Sequence, residues 1–425
     1  MRLFVLGAAA LALWATPSGW LAADAQPAAP AGRNVTWSAE WRVRYEGRAN
    51  TDFCIANHKR PQDELSRVRF NFAVQPSANT KLAARLQHSY RRCRVSGSAD
   101  TQEKSGFQQL YLDTEWGNVT LRLGRQDLGF GDIRLLAPLN WNNISASWDS
   151  MRLNMKGTAW ETSIFYGRPG MFPTSTTHPV LYGLYATYKP SSRWQSDVYL
   201  LRKEVIAAGT QQRIWTVGAR PVAQLNKSTK LTAEVALQRG EIGSKNLQAW
   251  GYWARLEYNL PGAKNTRLIL QRDFASGGNP DDATLHTFDQ LYGTTFGQCG
   301  RLGLQGWRNA STWRIGVSGS PTPRLQYTAD LHLNRLANAK DYWYGDAGGG
   351  APVRGVNGTL LRDPTGAAGT EVGTEINFTL NYSLSKDLQL SAGYGQFIPG
   401  RFVRETNSGF GDRTEWFYLQ TTRKF

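Results

Sequence analysis

Arginines recur at every second position early in this chain. Arg42 and Arg44 lie in "TWSAEWRVRYEGR" (36–48), and Arg67 and Arg69 lie in "SRVRFNFAV" (66–74). A period of two puts each pair on one face of a strand, opposite Trp37, Trp41, Val68, Phe70 and Phe72. Arg85, Arg122 and Arg152 hold the same polar parity in later alternating segments. A guanidinium grips a carboxylate or phosphate with two parallel hydrogen bonds, and rings of such groups let a pore select anions. The chemistry on offer is anion recognition. The competing arrangement is internal ion pairing with Glu40, Glu46, Asp113, Glu115 and Glu161.

Residues suited to catalysis or metal binding are sparse. The five histidines are His58, His88, His178, His286 and His332, and none has metal-ligand spacing. His88 shares parity with Leu82, Ala84 and Leu86, which makes it a membrane-interface residue. A barrel lipase would need a Ser–His pair on its outer wall, and no strand pairing that makes one is legible. Gly129-Phe130-Gly131 is followed by no helix, so it is not a nucleotide fingerprint. Three cysteines allow at most one internal bridge; Cys54 and Cys93 fall in the first two long connections, where a loop-to-loop disulfide is open to them. No enzyme activity, metal or cofactor is expected.

The elements that carry these arginines are short alternating strands. "RLQYTADLHLN" sets Leu325, Tyr327, Leu331 and Leu333 against Arg324, Gln326, Asp330 and His332, and "EINFTLNYSL" repeats the pattern at 375–384. Segments of about ten residues cross a bilayer as tilted strands. The connections alternate. Short ones such as "PSANT" (76–80), "WGN" (116–118) and "SPTP" (320–323) fall between long polar ones near 47–64, 92–105, 127–147, 168–178, 274–309, 336–371 and 398–412. Segment counting gives about 18 strands, an even number as a closed bacterial barrel requires. The fold class expected is all-β: a transmembrane antiparallel up-and-down β-barrel with both termini on the short-turn side.

Bulk composition agrees. Aromatics reach 12%, with 16 Trp and 17 Tyr, against 41% hydrophobics. Amphipathic rings in that proportion suit a membrane-interface belt. Residues 1–25 read as a secretory signal peptide: Arg2, an apolar run over 3–15, and the small-residue site Ala23-Asp24-Ala25. Residues 26–425 then form a single barrel domain. The formal charge of +16 suggests an anionic partner, and an exported chain without a reader motif does not suggest nucleic acid.

One stretch stands apart: "GRQDLGFGDIRLLAPLNWNN", residues 124–143, too polar for a core and too aromatic for a linker. Its Gly124, Arg125, Gln126, Gly131, Asp132, Arg134, Pro138, Trp141, Asn142 and Asn143 resemble the strand-to-loop segment of the alginate-export porin family. "SWDSMRL", with Trp148, Asp149 and Arg152, continues the likeness, and "TFDQLYG" (287–293) and "GWRN" (306–309) resemble that family's later long loop. The resemblance implies a monomeric outer-membrane channel that passes a polyuronate through an arginine-rich constriction, with periplasmic export partners. It also implies that loop 127–147 folds partly into the pore and that Arg125, Asp132, Arg134, Asp149 and Arg152 join Arg42, Arg44, Arg67, Arg69, Arg85 and Arg122 along the substrate path.

The function expected is therefore an outer-membrane porin conducting an anionic polysaccharide such as alginate. A porin for small acidic solutes or oligouronates stands beside it. A plugged structural or adhesin barrel and an outer-membrane enzyme are the more distant readings.

Overall fold

The computed structural model describes residues 34–425 apart from 58, 96–97, 171–177, 208–209, 264 and 347–349. The signal segment expected at 1–25 and His58 lie outside the described residues. Strand formation follows the alternating pattern. The first half of the wall is β1 (Asn34–Ala49), β2 (Gln62–Ser77), β3 (Thr80–Val95), β4 (Ser98–Trp116), β5 (Val119–Gln126), β6 (Trp148–Lys156), β7 (Trp160–Pro169), β8 (His178–Ser191) and β9 (Trp194–Ala207). Next come β10 (Thr210–Gln224), β11 (Thr229–Ile242), β12 (Lys245–Asn259) and β13 (Arg267–Ala275). After β14 (Thr284–Leu285), a two-residue stretch inside a loop, the wall continues with β15 (Ala310–Thr322), β16 (Leu325–Arg335), β17 (Glu371–Ser383), β18 (Leu388–Pro399) and β19 (Thr414–Lys424).

Each wall strand pairs antiparallel with the next, β13 pairs with β15, and β19 returns to β1 in a register running from Glu40↔Lys424 to Ala49↔Glu415. Without β14 this is a closed barrel of 18 strands, so no edge is left unpaired in lipid. Both described ends lie together, with Ala39 N–H donating to the Phe425 carbonyl at 3.1 Å.

The two faces divide as the parity requires. Trp37, Trp41, Phe70, Phe72, Leu86, Phe107 and Leu112 are exposed on the outer wall. Arg42, Arg44, Arg67, Arg69, Gln87 and Asp113 point inward. A charge facing lipid at the midplane would cost ~2–4 kcal/mol, which fixes this choice of face.

The connections differ from expectation in three places. Residues 92–105 are not a long loop: β3 and β4 run on past the membrane band as a tall hairpin, paired as far as Val95↔Ser98. On the same side β9 ends at Ala207 and β10 begins at Thr210, while β11 and β12 are separated by two residues. Among the described residues the long connections are 50–61, 127–147, 276–309, 336–370 and 400–413, the last carrying the short helix α1 (Arg401–Thr406), while most of the connection expected at 168–178 lies outside the described residues. Several of these turn inward. Leu128, Leu135, Leu136, Phe288, Leu291 and Trp307 form one buried cluster with inner-wall residues such as Phe165 and Trp253. Phe53, Leu302, Trp343, Leu361, Phe402 and Val403 form a second with Phe397 and Trp416.

Candidate functional site

Loop 127–147 leaves the top of β5 and folds into the barrel. Left-handed backbone at Gly131 (φ 56°), Ile133 (φ 57°) and Leu139 (φ 52°) reverses it sharply. Its own turns close three backbone bonds: Ile133 N–H to Phe130 O, Asn142 N–H to Leu139 O and Ala146 N–H to Pro138 O. A buried loop must satisfy its polar backbone, and this one does so partly from within.

The loop does not stand alone. It zips to loop 276–309 through a parallel bridge between Leu136 and Tyr292. Tyr292 N–H donates to Leu135 O at 2.9 Å, Ala137 N–H to Tyr292 O at 3.2 Å and Thr294 N–H to Ile133 O at 3.1 Å. Gly293 is required by this approach, because a Cβ there would overlap the Arg134 carbonyl. Trp141 stacks on Phe296, with 4.6 Å between ring centroids, and meets Tyr418 edge-on. The "TFDQLYG" stretch is thus the partner of "IRLLA" (133–137) in loop 127–147, a relationship the sequence does not display.

Four arginines fasten the loop to the wall. Arg42 donates to the carbonyls of Asn140 (3.0 Å) and Asn142 (3.1 Å). Arg44 donates to Trp141 O at 2.9 Å and lies over its ring. Arg67 reaches Asn140 O and Asn142 O and pairs with Glu40 at 2.9 Å. Arg69 bonds Gln87 Oε1, Asn140 Oδ1 and Ser145 Oγ. The expected patch exists, since these residues come from adjacent strands. It is not, however, an open lining: relative exposure is 4%, 3%, 4% and 6%, because the loop covers it. The guanidiniums of Arg42, Arg44 and Arg67 hold backbone carbonyls, and that of Arg69 holds side-chain oxygens, where a passing carboxylate was expected.

The remaining predicted residues fall into three groups. Arg134 is enclosed, with an ion pair to Asp273 at 2.6 Å and the Trp253 ring 4.4 Å from its guanidinium carbon. Burial opposes its charge, but Asp273 holds its pKa above the ordinary value. It anchors the loop and lines no path. Arg125 and Asp149 form a two-pronged pair at 2.6 and 2.9 Å on the outward parity, opposite Leu110 and beside Met151, so they leave the expected substrate path. Arg85, Arg122, Asp132 and Arg152 face inward.

Within that last group the electrostatics are uneven. Arg122 is paired twice to Asp113, at 2.6 and 2.8 Å. Arg85 bonds Asn71 Oδ1 at 2.6 Å, with Asp127 at 3.8 Å. Asp132 bridges Arg220 and Arg255, the latter at 2.9 Å, and Arg220 also meets Asp197 at 2.7 Å. Burial works against the Asp132 charge, yet Arg255 and Arg220 hold its carboxyl below the usual range. Arg152 differs. Its Nε and Nη2 contact only the Ser163 hydroxyl, its carbon lies 5.0 Å from the Phe130 ring, and no carboxylate pairs with it among the described residues. It faces a concavity of about 280 Å³ on the short-turn side of the loop, lined also by Glu161, Tyr185, Asp197 and Arg220. Arg220 and Arg255 were missed from sequence; their alternating strands were legible, but their distance from the arginine-rich start hid them.

Two further expectations are corrected. Cys54 and Cys93 are both free: Cys54 is buried in the connection after β1, whereas Cys93 sits in the β3 ladder opposite Asp63, not in a loop. A Ser–His pair does occur on the outer wall, where His88 Nδ1 lies 2.8 Å from Ser105 Oγ across β3 and β4. Glu103 approaches the same ring nitrogen, at 3.8 Å. A catalytic relay needs its acid on the opposite nitrogen, so this arrangement does not activate the serine.

Comparisons with known proteins accord with this geometry. The alginate export family profile matches residues 33–415. Solved structures of outer-membrane channels from Pseudomonas aeruginosa share the fold. OpdQ superposes with a TM-score of 0.63 at 8% identity, over 92% of this chain and 99% of that one. OccK7 (OpdD) gives 0.62 at 11% identity, over 92% and 99%. OpdK, solved with vanillate, gives 0.62 at 10% identity, over 92% and 98%. A sequence search among curated proteins returns no match.

Proposed function

We propose, for a chain that belongs to the alginate export family and forms a channel in the bacterial outer membrane, that it conducts an anionic, carboxylated carbohydrate of the polyuronate class. The observation that carries this reading is Arg152: an inward guanidinium without a carboxylate partner among the described residues, in a concavity beside Arg220 and beneath an inward-folded loop. A uronate carboxylate satisfies what Ser163 leaves open, with two hydrogen bonds in the plane of the guanidinium. The surrounding charges are mixed, so binding there is weak, as conduction requires. Passage is passive, and the direction follows from the gradient.

A second reading rests on the size of that space. About 280 Å³ suits one sugar or small acid better than a chain held at several points, and the OpdK structure holds vanillate, a small carboxylate. Uptake of small acidic solutes or oligouronates uses the same Arg152 contact.

Planar-bilayer recording separates these readings. Polyuronate conduction requires anion-selective current that oligouronates block more tightly as their length grows, with the block fading at high salt as the Debye length drops below ~8 Å. Arg152→Ser weakens the block while the barrel still migrates fast on an unboiled gel. Block by a single uronic acid that does not tighten with length favours the small-solute reading. Cation preference in the wild type removes both.

A further inference from the structure

The lipid-facing wall over β8 to β12 carries an arrangement that the channel reading does not use. Cross-strand register sorts its outward residues into rows. One row is Ala186, Val198, Ala219, Val235 and Tyr252; the next toward the long-loop side is Leu184, Leu200, Val217, Leu237 and Trp250. Ala219 leaves the wall hollow between larger neighbours. The result is a shallow, wholly apolar groove of about 460 Å³, lined by Leu184, Val198, Leu200, Val217, Val235 and Leu237.

The row directly above the groove is Tyr182, Arg202, Trp215, Arg239 and Gln248, and above that stand Glu204, Arg213 and Glu241. Three guanidiniums thus face outward against two carboxylates. Arg202 lies over Trp215, 5.0 Å from its ring centre, and pairs with Glu204. Arg239 donates only to the Gln238 carbonyl, and neither it nor Arg213 pairs with a carboxylate among the described residues. Trp215 marks the depth of the interface, where a lipid-facing arginine costs ~0–1 kcal/mol instead of the midplane penalty. Strand spacing of ~4.8 Å puts the Arg202 and Arg239 backbones about 10 Å apart, a gap their long side chains can close on one phosphate.

We propose that this face binds a phosphorylated, multiply acylated lipid of the outer leaflet, with an acyl chain in the groove and a headgroup phosphate between Arg202 and Arg239. The groove accounts for the chain, the excess of guanidiniums over carboxylates accounts for the phosphate, and their order along the strands matches the order of tail and headgroup in the leaflet. The site is independent of what passes through the lumen.

The test uses the full barrel, extracted in mild detergent, stripped of lipid and titrated with a bis-phosphorylated acylated glucosamine disaccharide while bound lipid is counted by native mass spectrometry. Binding at one site is expected, weakened roughly tenfold or more by Arg202→Ser/Arg239→Ser, in keeping with the loss of two charge-assisted hydrogen bonds. Ala219→Phe, which fills the groove without changing charge, weakens it as well. The same disaccharide without phosphates binds poorly, and inorganic phosphate alone does not bind. Heat-modifiable migration checks that each variant is folded; where the double variant is not, Arg239→Gln and Ala219→Phe carry the comparison. Equal binding by wild type and folded variants, or equal binding of the dephosphorylated lipid, overturns the proposal.

Discussion

Arg67 and Asn140 lie 73 residues apart in the chain, yet Nη1 of Arg67 donates to the Asn140 carbonyl at 2.9 Å. With Arg42 on the same carbonyl at 3.0 Å, this contact turns a lumenal arginine patch into a latch. A hydrogen bond to a charged group contributes ~1.5–3 kcal/mol, so removing both guanidiniums leaves loop 127–147 weakly held on this side. Arg42→Ser/Arg67→Ser should therefore raise single-channel conductance and its noise without unfolding the barrel. Steady wild-type current in the folded variant would show that Arg44, Arg69 and the zip to loop 276–309 suffice to hold the loop.

Deleting residues 129–142 separates the latch from its load. The loop no longer covers Arg42, Arg44, Arg67 and Arg69, so four buried cations should face water. Conductance should rise and anion preference, read from reversal potentials, should sharpen. A rise in conductance with unchanged selectivity would mean that Glu40 and Glu46 neutralise the exposed patch.

Gly293 tests the contact between the two loops. A methyl group there overlaps the Arg134 carbonyl, and neither backbone can retreat without breaking the Leu136–Tyr292 bridge. Gly293→Ala should cost about 1–3 kcal/mol of local stability, in line with overpacking elsewhere. Proteolysis of loop 276–309 in the folded barrel should accelerate, while Gly106→Ala, at a glycine with open space and ordinary backbone, should have a smaller effect.

Acid should leave the loop in place down to unusually low pH. Asp132 has its pKa depressed in the fold by Arg255 and Arg220 against the pull of burial. A depressed folded value means the tether stabilises the loop above the ordinary carboxylate value of about 3.9 and is lost as pH falls through the lower folded value. Conductance should hold constant from pH 7 to about 4 and rise only below. Asp132→Asn should raise it at neutral pH and remove that acid step. A step between pH 5 and 6 in the wild type would mean that a different group controls the loop.

Free thiols give a chemical check on the tall hairpin. Unreduced, denatured protein should take up three maleimides, at Cys54, Cys93 and Cys299. In the folded barrel Cys93, half-buried in β3, should label before the buried Cys54 and Cys299. A single labelled thiol after unreduced denaturation would restore the disulfide between Cys54 and Cys93.

Much of this molecule was determined locally. The parity that puts Trp37 outside and Arg42 inside, the count of 18 strands and the inward turn of loop 127–147 all follow from period-two patterning, turn residues and one recognisable stretch. They are legible because a lipid-facing charge is costly wherever it occurs, so each strand must obey the rule by itself. What the arginines do was not local. Arg42, Arg44, Arg67 and Arg69 have the sequence signature of an anion path, and only the returning loop shows that their donors meet carbonyls at 140–142. Arg125 and Asp149 sit one residue out of step with Arg122 and Arg152, and that single position carries them to the outer wall. Arg152 is left as a lumenal guanidinium without a carboxylate among the described residues because of which carboxylates the barrel closure brings near its neighbours. Pairing of that kind depends on strands and loops far apart in the chain, and only the closed tertiary structure decides it.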